Sequence, residues 1–462
     1  MREPIASAIA ANRFGLGARP GELAAIGDHG PDWLRVELEG SPPMPDATGL
    51  RSSSEILAQA LALRREIQAA KKSGDETPQQ KLPQLLRPIY LSEVSARFRY
   101  AVSSDRPFSE RLAQFWSNHF AVSIDKQFLA GLAGSFEREA IRPHVLGNFT
   151  DMLLAVETHP AMLLYLDNYL SVGPNSQAAQ RLARRGGERR IGINENLARE
   201  ILELHTLGVG GGYTQSDVTT FAEVITGWSI GGQGGGPFRG GEPGKFLFRS
   251  ELHQPGAKVV LGTRYADNGF EQGVAVLRDL ARQGATARFI AAKLARHFIA
   301  DEPPPKAVER IASAYIASNG NLPTVYRALI DAREAWEQPF AKYKTPSDFI
   351  VSAFRGLSLP PDSSRGPLAA YELLGQRTWS PGSPAGWPDR SADWDGASAL
   401  MKRIEWAEAV GQRLGSERDA AKVAPELLGA NLSDTTRAAL AHAASPAQAV
   451  TLLLAAPEFM RR

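Results

Sequence analysis

No cysteine occurs among the 462 residues. Disulfides, thiolate nucleophiles and zinc–sulfur or iron–sulfur centres are thereby excluded. The compartment stays open, because a chain without thiols tolerates oxidising and reducing surroundings alike. An excess of one charge sign is lacking too: 52 Lys and Arg stand against 50 Asp and Glu, a formal +2, too little for a general nucleic-acid binder. Long hydrophobic runs are missing. Leu452-Leu453-Leu454-Ala455-Ala456 falls far short of a membrane span, so a soluble chain is expected. Met1 to Ala10 has neither a cationic start nor a long apolar core. No export signal is visible, which reads as cytoplasmic as written, or exported if a leader has been removed. The phosphate loop G-x-x-x-x-G-K-[ST], a G-x-G-x-x-G after a strand and the G-x-S-x-G elbow are all absent, which argues against nucleotide-dependent and α/β-hydrolase chemistry.

What is present is helical patterning. At 43% apolar and 22% charged residues the composition is that of a globular protein. Apolar spacing near 3.6 predicts helices around 21–40, 54–72, 88–122, 128–157, 194–207, 216–227, 270–284, 286–300, 304–318, 323–334, 345–357, 398–414 and 446–460. Ser216-Asp217, Thr286 and Thr345-Pro346 read as helix starts. Strand signals are confined to Gly244–Phe248 and Lys258–Gly262, expected to pair as one hairpin. The expectation is an all-α fold, residues 1–462 forming one large helical domain with at most a small β-hairpin near 244–262. Two loops interrupt it. Residues 227–244 hold nine glycines and two prolines, reading as a lid or a surface insertion. Residues 378–394 carry Trp379, Trp387 and Trp394 in a Pro/Gly-rich setting, where tryptophans either pack inward or bind.

The segment Asn194 to Gly208 places Glu195, Arg199, Glu200, Glu203 and His205 in one leucine-rich helix. At 100° per residue, Leu197, Ala198, Ile201, Leu202, Leu204 and His205 share an apolar arc, with Glu200 at its edge. The plain reading is an amphipathic helix with a solvated face, Arg199 pairing weakly with Glu203. In Glu110 to Phe120, His119 falls on the aromatic arc with Phe115 and Trp116, while Arg111, Gln114 and Asn118 fall on the polar one. His297 likewise sits beside Leu294 and Ile290. Such histidines are usually core residues bonded to a carbonyl or carboxylate, yet these are three of only eight. If they share a site, Asn118, His119, Glu200, Glu203 and His205 would do acid–base work, or ligate a divalent metal. The metal reading lacks any H-E-x-x-H, E-x-x-H or H-x-H spacing. Trp379, Trp387, Trp394 and Arg199 would contact substrate. Paired carboxylates and clustered tryptophans suggest carbohydrate. The run Arg181, Arg184, Arg185, Arg189, Arg190 reads as a solvated basic loop or an anion attractor.

A set of pieces in fixed order resembles the bacterial family catalogued as domain of unknown function 1800. They are Asn12 to Gly17, Phe115 to Phe120, Pro160 to Asn168, Asn194 to Gly208, Gly212 to Val218, Thr226-Gly227-Trp228, His253 with Gly256 and Lys258, Lys293 to Phe298, and Pro384 to Pro388. The resemblance covers nearly the whole chain and implies a mostly helical body. It also implies a frequent export signal and, by association, a neighbouring sulfatase-like protein as partner. This chain departs from it in starting almost at the first motif, and in carrying Gln254 where members tend to have Asp. Two readings result: a hydrolase-like enzyme acting on carbohydrate or a modified polymer, and a non-catalytic helical scaffold that assembles with the sulfatase-like protein.

Overall fold

Apolar residues repeating at helical spacing need a partner surface, and here helix after helix supplies one. The computed structural model describes residues 5–72, 80–126, 128–184, 192–232, 240–361 and 366–462. It is mainly helical, with two two-stranded antiparallel sheets among the described residues. One contiguous hydrophobic cluster runs from Ala8 to Met460. The helices that build the site are α1 (Lys81–Ser103), α2 (Pro107–His119), α3 (Leu129–Phe136), α4 (Phe149–Glu157), α5 (Asn196–Glu200), α6 (Gly284–Phe298) and α7 (Pro346–Gly356).

Local chemistry sets the breaks that periodicity runs through. The segment expected to be helical over 88–122 is two helices, because Pro107 opens α2 at its first turn after the extended Ser104. The segment 128–157 is likewise divided. α3 passes into a π-helix, Glu137–Ile141, then a 3-10 turn, Arg142–His144, and Asn148 caps α4 by accepting from the Thr150 N–H. Thr345 caps α7 through a reciprocal box with Asp348, in keeping with the Thr345-Pro346 signal. The other two expected starts shift. Thr214, not Ser216, caps the helix Gln215–Val224. Thr286 lies inside α6, its hydroxyl donating to the Leu280 carbonyl.

The single expected hairpin is also corrected. β1 (Trp228–Ile230) pairs with β2 (Phe246–Phe248), and β3 (Lys258–Val260) with β4 (Thr263–Tyr265), so 246–248 turns back on the buried Trp228 strand and not on 258–260. Part of the glycine-rich segment is thus a strand. The rest of it at 233–239, and Arg185, Arg189 and Arg190 of the basic run, lie outside the described residues. No helix among the described residues is long and apolar enough to cross a membrane.

The core departs from a purely apolar one in its arginines. Arg13, Arg111, Arg142, Arg355, Arg403 and Arg462 are all fully buried. Each needs an acceptor in low dielectric. Arg142 is held by two carboxylates, binding Glu110 at 2.5 and 2.9 Å and Glu137 at 2.7 and 2.9 Å.

Candidate functional site

The helix predicted over 194–207 changes pitch midway, α5 giving way to a π-helix at Ile201–His205. The wider turn leaves Leu204 half-buried and turns His205 into the core. There it meets His119, at the end of α2. The His119 Nε2 lies 3.1 Å from the His205 carbonyl, and the two rings are 6.3 Å apart. Phe115, Trp116, Phe120 and Phe289 surround the His119 ring. Burial, reinforced by the Lys293 charge, holds the His119 pKa well below the usual imidazole value.

The carboxylate that answers His205 is neither Glu200 nor Glu203. It is Glu157, fully buried at the end of α4, with Oε1 at 2.7 Å from His205 Nδ1. Its core position was signalled by spacing, four residues after the buried Leu153 in its helix. Glu200 is half-buried, and desolvation raises its pKa. Glu203 takes the Tyr213 hydroxyl, which burial and that carboxylate push up to about 12. Arg199 pairs with Glu195 at 3.0 Å instead of Glu203, and with Gln215. His253 binds the Thr226 carbonyl at 3.1 Å, and Gln254 accepts from the Asn175 N–H at 2.8 Å. Among the described residues no three His, Asp or Glu side chains converge closely enough to hold a metal ion.

An open cleft lies elsewhere, between α1, α2, α6, α7 and the tryptophan loop, enclosing about 780 Å³ that includes its solvent-filled mouth. Asn118 shapes its wall. The side-chain Nδ2 donates to the Trp387 carbonyl at 2.9 Å, and Oδ1 accepts from the Trp387 N–H at 2.7 Å. Both ends of the amide are thus engaged in pinning the loop. The loop comes this close because Gly386 has φ +84° and no Cβ, which would stand 2.3 Å from the Asn118 carbonyl oxygen. Gly386→Ala is expected to lift the loop and destabilise the fold by about 1–3 kcal/mol. Thermal melting with proteolysis at 378–394 checks this, and unchanged melting and cleavage would refute the clamp.

The three tryptophans divide. Trp379 is buried and donates to Glu137 at 3.0 Å, and Trp394 is buried and donates to the Pro388 carbonyl at 2.9 Å. Trp387 stays half-exposed at the cleft, its ring 6.0 Å from that of Trp394.

The ionisable groups at the cleft are His297, one of the three histidines singled out on apolar faces, with Arg111, Asp348 and Asp389, which the sequence reading did not place in a site. Arg111, expected on a polar face, is buried, donating to the Gly15 carbonyl and to Asp348 at 2.8 Å. His297 Nδ1 lies 3.2 and 3.1 Å from the two oxygens of Asp389, and its Nε2, closed to solvent, has no hydrogen-bond partner among the described residues. Burial holds the His297 pKa below the ordinary value, against the opposing pull of Asp389. Burial also works to raise the Asp389 pKa, but His297, Lys342 and Arg462 bring it down to about 2. Asp389 lies in the tryptophan loop, 92 residues from His297, and nothing local ties the two.

No curated protein and no solved structure matches the chain. A family model described as a protein of unknown function, DUF1800, matches residues 9–461, and the chain belongs to that family.

Proposed function

We propose that this protein is a hydrolase-like enzyme whose acid–base group is His297, acting in the cleft on a carbohydrate or a modified polymer. One observation carries the reading: an imidazole at the cleft wall, held by a carboxylate on Nδ1 and unpartnered at Nε2. A neutral ring donating Nδ1–H to Asp389 presents a lone pair at Nε2. That nitrogen is closed to solvent at rest; a shift of the wall that admits substrate would let it take a proton from water or a hydroxyl, while Asp389 fixes the tautomer and stabilises the imidazolium that forms. The half-exposed Trp387 ring offers an apolar platform for one face of a sugar. In this reading His119, His205 and Glu157 hold the core beneath the site, and Asn118 positions the loop.

A screen of 4-methylumbelliferyl glycosides, uronides, acetate, sulfate and phosphate esters tests it, comparing wild type with His297→Asn. The expected result is turnover of one class, reduced on the order of 100-fold or more in the variant at unchanged melting temperature. Equal rates in both proteins, or no turnover of any class by the wild type, would sink the proposal. The second reading, a non-catalytic scaffold that partners a sulfatase-like protein, is favoured by the closed burial of His119 and His205, which suits a network that fixes helix register.

A further inference from the structure

The wall of the cleft carries more positive charge than it neutralises. Asp348 is shared, one oxygen going to Arg111 at 2.8 Å and the other to Arg462 at 3.0 Å. Asp389 faces Lys342 and Arg462, each at 3.9 Å, besides His297. Behind them Lys344 donates to Ser352 Oγ at 3.0 Å and lies over the Phe459 ring, and Arg403 donates to the Lys344 carbonyl at 2.7 Å. Lys342 has Asp301 at 2.5 Å. Four cations (Arg111, Arg462, Lys342 and Arg403), joined by Lys344 in its protonated form, therefore share three carboxylates. Buried like charges repel strongly in low dielectric; burial lowers the Lys344 pKa to about 7, Asp348 opposing it and Arg111, Arg403 and Arg462 adding to it.

Three arginines that line the cleft keep donors to spare. Arg111 uses Nε and Nη1 on the protein, and Nη2 meets no acceptor among the described residues. Arg97 binds Glu137 through Nε alone. Arg377 stands at the rim, half its side chain exposed, with Glu372 no closer than 3.9 Å.

Resting on the enzyme reading and deepening it, we infer that this cleft holds an oxyanion subsite. Arg111, Arg97 and Arg377 would receive a carboxylate, sulfate or phosphate carried by the substrate, while Trp387 and His297 face the body that bears it. Guanidinium groups bind such anions through paired N–H donors. A ligand charge of this kind would also relieve the repulsion that the protein leaves in place.

The test is thermal melting of the full chain with sodium glucuronate, sulfate or phosphate against sodium chloride at matched ionic strength. Wild type is compared with Arg377→Gln, Arg377→Glu and His297→Asn. The expected result is a saturable rise of several degrees with at least one oxyanion and none with chloride. Arg377→Gln should shift the midpoint about tenfold higher in concentration, and Arg377→Glu should abolish the response. Strongest response to glucuronate assigns a uronate; strongest response to sulfate or phosphate assigns an ester anion. Equal responses to all four salts, or an unshifted midpoint in both Arg377 variants, would overturn the subsite. His297→Asn separates the two claims. A kept oxyanion response with no turnover by any form leaves the subsite and removes the acid–base role, whereas His297-dependent turnover with no oxyanion response does the reverse.

Discussion

Arg142→Met is expected to remove about 3–5 kcal/mol of stability, a large share of the roughly 5–15 kcal/mol that holds a typical domain. The guanidinium is fully enclosed between Glu110 and Glu137, themselves closed to solvent, and also donates to the Pro43 carbonyl at 3.1 Å. Methionine fills most of the volume and leaves two carboxylates facing each other. Glu137 keeps Arg97, Ser117 and Trp379, but Glu110 keeps only Gln114, at 3.1 Å. The loss should therefore arise chiefly from Glu110. Urea unfolding of Arg142→Met and of the double variant Glu110→Leu/Arg142→Met separates the two contributions, with the double variant recovering much of the loss. A single variant as stable as wild type would show that the triad is not closed to water. Because Glu137 ties this triad to Arg97 and Trp379 at the cleft, the same change should loosen the site wall.

Lys344→Met acts in the opposite direction. The ammonium lies 4.0 Å over the Phe459 ring, closed to solvent, and its pKa falls from 10.5 to about 7. A depressed amine is neutral in the folded state across a window where the unfolded chain still holds the proton. Its contribution is therefore flat below about pH 7 and makes stability rise with pH between about 7 and 10.5, by up to about 1.4 kcal/mol per unit. Lys293, lowered to about 8 by burial, adds to the same slope, and Glu37, raised to about 8 by burial, opposes it below that value. The difference between wild type and variant is thus the quantity to measure. Chemical denaturation at about pH 7 and about pH 9.5 should give Lys344→Met higher stability at the lower pH, by on the order of 2–4 kcal/mol, and a shallower slope. Identical slopes in the two proteins would exonerate Lys344.

Much of the fold could be read in the residues. Apolar spacing marked α2, α6 and α7, and Thr345-Pro346 marked the start of α7 with its capping box. The histidines on apolar arcs, His119 and His205, are core residues bonded as such residues usually are. Less legible were breaks set by single residues, such as Pro107 between α1 and α2, because a 3.6-residue period continues smoothly across them. Strand pairing was harder still. A three-residue strand such as β2 carries no register of its own, and its partner is β1, not β3.

The sequence by itself determined the helical class, the absence of thiol chemistry, the family and the polar residues available for a site. Which of them meet was decided only by tertiary packing. Glu157 displaced Glu200 and Glu203 as the partner of His205, and Asp389 reached His297 across 92 residues. The physical reason is that helical periodicity reports which face of a segment avoids water, whereas a hydrogen bond depends on where two distant segments come to rest. Arg111 makes the same point. On its own helix it is a polar-face residue, and it is buried where α7 brings Asp348 against it, with Arg462 on the other oxygen of Asp348.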